Sequence, residues 1–180
     1  FEKLDGMMVM LYYYSDEWHV ATQSVPDGSN MVGEGADATT VRDLFFEIFS
    51  ARSYALPPVE TKQIFIFELL TARCRLVVQH VKDDLVLIGA RDMVTLQELD
   101  ALQVASAHGW ISAPRFFFSS QSEVIDCARR LTGTSSEGFV VCDCNWNRLK
   151  IKSPSYVAIF HLKGLPLDAL TAEDITPIVL

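Results

Sequence analysis

The segment Arg148-Leu149-Lys150-Ile151-Lys152-Ser153 alternates basic and apolar residues. On a strand, alternate side chains share a face, so Lys150 and Lys152 point one way and Ile151 the other. From Cys144 to Leu167 there is no Asp or Glu, whereas Arg148, Lys150, Lys152 and Lys163 all fall there. In a chain of 15 Lys plus Arg against 23 Asp plus Glu, net charge -8, this is a local positive field suited to phosphate. The plainer alternative is a solvated strand face that happens to carry two lysines.

Three other segments carry groups that phosphate chemistry needs. Glu137 offers a carboxylate next to Gly138, whose missing side chain lets a ligand approach the backbone. A carboxylate beside phosphate-binding lysines can hold Mg²⁺ directly or through its waters; a turn residue followed by a flexible glycine is the alternative. Lys3-Leu4-Asp5-Gly6 presents an amine near the amino end. Lysine attacks only as the neutral amine, and its ordinary pKa of about 10.4 requires neighbouring cations to release the proton. The pair Lys150 and Lys152 is a source of that field, whereas an ordinary surface turn explains Lys3-Leu4-Asp5-Gly6 equally simply. Glu68 interrupts the apolar run Phe65-Ile66-Phe67-Glu68-Leu69-Leu70, and a half-buried carboxylate needs a partner. A ribose hydroxyl or a cation would serve, as would an internal salt bridge with Arg73 or Arg75.

The elements that must position these groups are mixed. Strand-like runs are expected at 7–14, 18–22, 63–70, 75–80, 85–90, 116–118, 139–142 and 148–152, with turns at Ser15-Asp16, Pro26-Asp27-Gly28 and Lys82-Asp83-Asp84. Helical spacing follows Thr39-Thr40 over 41–49. It recurs from Thr95 over 96–105 with Gly109 as a stop, and after Ser120, whose pairing with Glu123 fits a capping box, over 124–131. Strands cluster around separate helices, which predicts an α+β fold of mainly antiparallel sheets rather than a doubly wound one. Residues 28–37 read as a mobile surface loop. With 180 residues and 49% apolar content the chain is expected to form one domain with a buried core. No stretch approaches the ~20 apolar residues of a membrane span, and four irregularly spaced cysteines point to a reducing, intracellular setting, cytoplasmic or nuclear.

In this order the segments resemble the covalent nucleotidyltransferase superfamily, and most closely ATP-dependent RNA ligases of the phage T4 RNA ligase 1-like type. Lys3-Leu4-Asp5-Gly6 is similar to the adenylated-lysine motif, Phe67-Glu68 to the third motif, and Glu137-Gly138-Phe139-Val140 to the fourth. Lys150-Ile151-Lys152-Ser153, thirteen positions after Glu137, is similar to the fifth. The likeness runs from Lys3 to about Gly164. It implies an α+β adenylyltransferase domain of antiparallel sheets flanked by helices, of the ATP-grasp-like kind. It also implies a reaction in which Lys3 attacks the α-phosphorus of ATP and carries AMP. The AMP passes to an RNA 5′-phosphate, and a 3′-hydroxyl displaces it to seal the phosphodiester. Asp5, Gly6, Gly138 and Glu68 would line the nucleotide, with Glu68 on the ribose and Ile88 against adenine. Glu137 would bind or orient Mg²⁺ or Mn²⁺, and Lys150 and Lys152 would neutralise the α-phosphate.

The chain also departs from the family pattern. The basic residue usual downstream of the nucleophile is replaced by Gln23, and Met7-Met8 stand where a small hydroxyl residue is typical. Only two residues precede Lys3, so the expectation is a single adenylyltransferase domain over 1–180, trimmed at its N-terminus. These departures keep open a second reading, a nucleotidyltransferase-fold module that binds RNA or nucleotide without catalysis; a third reading, DNA ligation, would require nicked duplex DNA to be sealed better than RNA. His19, His80, His108 and His161 show no ligand spacing, and Tyr12-Tyr13-Tyr14 and Phe116-Phe117-Phe118 read as packing. Trp146 beside Arg148 is the better candidate for touching RNA.

Overall fold

Two antiparallel sheets carry the fold in a computed structural model, which describes residues 1–74 and 77–162. In chain order the strands are β1 (Glu2–Lys3), β2 (Met7–Tyr14), β3 (Glu17–Thr22), β4 (Met31–Val32), β5 (Thr39–Thr40), β6 (Gln63–Leu70), β7 (Asp84–Asp92), β8 (Glu98–Leu99), β9 (Gly138–Cys142) and β10 (Arg148–Lys152). The helices are α1 (Val41–Ala51), α2 (Ala101–His108), α3 (Gln121–Arg130) and α4 (Pro154–Leu162). The chain divides into two compact units that interleave in sequence: one of Phe1–Asp5, Leu76–Gln79 and Pro114–Leu180, the other of Gly6–Arg75 and His80–Ala113. The α+β class and antiparallel pairing are as expected.

The larger unit is built on the sheet order β3-β2-β6-β7-β8. Strand alternation sends Val9, Leu11, Phe65, Phe67, Leu69, Leu85 and Leu87 to one face, where all are buried. Against them α1 lays its stripe of Val41, Leu44, Phe45, Ile48 and Phe49, with Ala101 and Ala105 of α2 and Trp110 completing the core. Phe45 and Phe67 meet edge-on at 5.6 Å, a preferred aromatic geometry. Helix α1 starts where Thr40 accepts a hydrogen bond from the Asp43 amide, and α2 stops at Gly109, which has φ 68. The first residue of α2 follows Asp100, not Thr95: the Asp100 carboxylate accepts from the Leu102 and Gln103 amides, while Leu96 sits at φ 60 in a turn. The presumed mobile loop at 28–37 is instead organised by β4 pairing with β5.

The smaller unit has the sheet order β1-β9-β10. Phe139 pairs with Ile151, and both face Val124 and Ala128 of α3 together with Phe118 and Leu131. Ser120 caps α3 by accepting from the Glu123 amide, while the Glu123 carboxylate turns back one residue further, to Ser119. The run 116–118 forms no strand; Phe116 and Phe118 pack their rings on Phe139 at 5.5 and 5.3 Å. The expected strand at 75–80 is also absent among the described residues, because the Val77 and Val78 amides donate to the Asp5 carboxylate, both at 2.8 Å. Helix α4 was not anticipated. It begins at Pro154 after Ser153, whose Oγ accepts from the Tyr156 amide.

Candidate active site

Lys3 of β1 and Lys152 of β10 both stand in register with Gly138 of the central strand β9. Cross-strand partners share a face, so the two lysines flank a position with no side chain. Val140 and Lys150 form the next pair on that face, while Phe139 and Ile151 occupy the other, under α3. The alternation expected of Lys150 and Lys152 is therefore present, and it joins them to Lys3.

Glu137 ties the arrangement together. Its carboxylate accepts from the Lys3 ammonium at 2.6 Å through Oε2 and from the Lys152 ammonium at 2.9 Å through Oε1. The side chains of Lys3 and Glu137 are only 17% and 4% exposed, so this pairing is largely withdrawn from water and poorly screened. In a regular strand residue 137 would face away from 138. Gly138 breaks the alternation with φ 144, a value that side-chain-bearing residues rarely adopt, and a Cβ there would collide with the Ile151 carbonyl oxygen. The glycine thus serves two ends: it brings Glu137 onto the lysine face and leaves a gap between Lys3 and Lys152.

Helix α4 supports Lys152 from the side. The Lys152 ammonium lies 5.4 Å from the Tyr156 ring centre and 5.7 Å from that of Phe160. Lys150 is exposed. Asp5 is buried, and its carboxylate accepts from the Tyr156 hydroxyl at 2.8 Å as well as from the Val77 and Val78 amides. These bonds anchor the strand that carries Lys3, two residues away. Ser153 belongs to the segment similar to the fifth motif, but the anchoring bond of Tyr156 and the start of a helix at Ser153-Pro154 were not assigned from the sequence.

The remaining expected site residues belong to the larger unit. Gly6 lies against the end of β6, where a Cβ would come within 2.5 Å of the Leu69 carbonyl oxygen and 3.0 Å of the Glu68 side chain. Glu68 is half-buried and pairs with Met8 and Val86 on the sheet face opposite the buried Phe67 and Leu69. Ile88 is the extra residue of a bulge, skipped between the pairs Ile66 with Gly89 and Phe67 with Leu87, and is half-exposed. Gln23 is exposed just after β3. Arg75, Lys163 and Gly164 lie outside the described residues. Among the described residues no cluster of three or more His, Cys, Asp or Glu is disposed to hold a metal by itself.

No family model matches the chain. An RNA ligase of Rhodothermus phage RM378 is 31% identical over 99 residues, which cover 51% of this chain and 22% of that protein. An RNA ligase of Naegleria gruberi solved with ATP and Mn superposes with a TM-score of 0.61 at 14% identity, covering 87% of this chain and 49% of that one. An archaeal ATP-dependent RNA ligase gives a TM-score of 0.63 at 18% identity, covering 87% of this chain and 42% of that one. The fold is that found in these RNA ligases, and the chain spans about a fifth of the curated relative and about half of the Naegleria protein.

Proposed function

We propose that this chain is the adenylylating part of an ATP-dependent RNA ligase, with Lys3 as the nucleophile. The observation that carries this reading is the register of Lys3, Gly138 and Lys152 with Glu137 bonded to both cations. Once the Lys3 ammonium has given a proton to solvent, its neutral Nζ attacks the α-phosphorus of ATP, a P–N bond forms, the bond from that phosphorus to the bridging oxygen breaks, pyrophosphate leaves, and the surplus proton on nitrogen passes to solvent. The AMP then moves to an RNA 5′-phosphate, and an RNA 3′-hydroxyl displaces it to form the phosphodiester. Splitting the joining reaction in this way is nucleophilic covalent catalysis. Lys152 and Lys150 take the negative charge that grows on the α-phosphate. The likeness to RNA ligases, one of them solved with ATP and Mn, supports the choice of ATP and of RNA.

The donor set suits Mg²⁺ or Mn²⁺. One hard carboxylate, Glu137, is what such an ion takes when its other ligands are phosphate oxygens and water. The ion would offset triphosphate charge; Glu137 would hold or orient it, and in doing so give up its bonds to Lys3 and Lys152. Glu68 and Ile88 are the candidates for ribose and adenine. The four cysteines are all free, which supports a reducing, intracellular setting, cytoplasmic or nuclear. Among the described residues no helix is long and apolar enough to cross a membrane.

Incubation with α-labelled ATP and Mg²⁺ tests the reading. Label should stay on the denatured parent polypeptide and be absent from Lys3→Ala; equal labelling of both would overturn it. The exposed Gln23 favours the second reading, a nucleotide- or RNA-binding module without catalysis. Saturable ATP binding with no covalent label would select that one.

A further inference from the structure

The basic row of β10 extends beyond the two lysines assigned to the nucleotide. Arg148, Lys150 and Lys152 occupy alternate positions of a strand at the edge of its sheet, and all three are exposed. At about 3.3 Å per residue the row runs roughly 13 Å outward from Lys152. It ends at a hairpin whose tip is tied by side-chain hydrogen bonds. The Asp143 carboxylate accepts from the Asn145 and Asn147 amides, each at 2.8 Å, and from the Asn147 side chain at 2.9 Å. Those bonds also engage the one acidic charge at the tip, and they hold Trp146 at φ 65, which is strained for a bulky residue. Arg148 donates to the Trp146 carbonyl oxygen at 3.1 Å, and its guanidinium carbon lies 5.7 Å from the indole centre. A half-exposed indole backed by a guanidinium, at the end of a cationic row in a chain of net charge -8, is a local match for a stacked base followed by phosphates.

We propose that this hairpin is the RNA subsite. Trp146 stacks a base, and Arg148 takes the adjoining phosphate of a single strand whose 5′-phosphate end lies beside Lys3. The proposal rests on the ligase reading for the identity of the strand, and stacking with phosphate contact makes the subsite tolerant of sequence. It is tested by fluorescence anisotropy of the full chain, without ATP, against a labelled single-stranded oligoribonucleotide bearing a 5′-phosphate, over a series of salt concentrations. Trp146→Ala and Arg148→Gln should each weaken binding about tenfold. Arg148→Gln should also lower the salt slope by about 0.7. Trp146→Phe, which keeps a stacking ring, should retain most of the affinity. Arg129→Gln, which removes an exposed charge from α3, should leave it unchanged. If Trp146→Ala fails to fold, Trp146→Phe and Arg148→Gln still decide through their opposite expected effects. Parental affinity in Arg148→Gln, equal losses in Arg148→Gln and Arg129→Gln, or no binding by the parent would overturn the subsite. Covalent labelling of the parent by ATP is read separately. No label with weakened hairpin variants removes the ligase reading and keeps the subsite, whereas label with unaffected variants does the reverse.

Discussion

The Tyr156 hydroxyl donates to the Asp5 carboxylate at 2.8 Å across 151 positions of sequence, with both residues buried. The same carboxylate accepts from two amides of the 77–78 segment, so one side chain fastens three separate pieces of chain. Tyr156→Phe should lower stability by about 1.5–3 kcal/mol, the range for a hydrogen bond to a charged group. Asp5→Ala should cost more, because it also leaves the Val77 and Val78 amides without this acceptor. Urea denaturation of the two variants checks the order, and a Tyr156→Phe midpoint equal to that of the parent would refute the anchoring role.

Gly138 and Gly35 both have positive φ, 144 and 59, but differ in surroundings. A Cβ on Gly138 strikes the Ile151 carbonyl, whereas one on Gly35 meets nothing within 4 Å. Gly35→Ala therefore carries backbone strain alone, about 1 kcal/mol, while Gly138→Ala adds a backbone clash and should cost at least about 3 kcal/mol. Gly138→Ala should also displace Glu137. Thermal unfolding of the pair separates strain from clash, and similar losses at both glycines would contradict the account.

Local chemistry made much of this fold legible. The Thr40 and Ser120 caps, the α1 stripe and the Ser15-Asp16 turn each depend on residues within a few positions of one another. The lysine face of β10 followed from alternation alone. Pairings across long separations were not readable, which is why the bonds of Asp5 to Tyr156 and to the Val77 and Val78 amides were not foreseen, and why Val77-Val78 looked like a strand. Glu137 was recognised by its neighbours in sequence, but its bonds to Lys3 and Lys152 depend on the order of strands in the sheet. Helix α4 was overlooked because Tyr156-Val157-Ala158-Ile159-Phe160 is apolar almost all round and lacks an amphipathic stripe, although Ser153-Pro154 marked its start.

His108 stacks on Trp110 at 4.4 Å and meets the Phe65 ring edge at 5.5 Å, and burial lowers its pKa from the ordinary histidine value. A histidine with a lowered pKa binds its proton less readily folded than unfolded, so the unfolded state holds more protons and stability rises with pH. The contribution is fully present above about pH 6.5 and is lost as pH falls below it, towards the folded value. Urea midpoints should therefore drop between pH 7 and pH 5 in the parent and drop less in His108→Gln. Identical slopes would exclude this group as their source.

Glu137 and the lysines it bonds should respond unequally to removal. Losing either lysine leaves the Glu137 carboxylate with the other, but losing Glu137 leaves two ammonium groups facing one another across Gly138. Breaking a buried ion pair from one side costs about 3–5 kcal/mol; Glu137→Ala should approach that range, and Lys152→Ala should fall below it. Labelling by ATP should separate the roles in a different order. Lys150→Ala and Lys152→Ala should each reduce covalent label by tenfold or more while the protein stays folded, because charge placed to meet a developing anion is commonly worth that much or more. Glu137→Gln, which keeps the shape and removes the charge, should raise the Mg²⁺ concentration needed for half-maximal labelling and slow the reaction. Denaturation curves and a metal titration on these four variants provide the check. Near-parental label in both lysine variants would remove them from the chemistry, and an unchanged metal titration would remove Glu137 from the metal site.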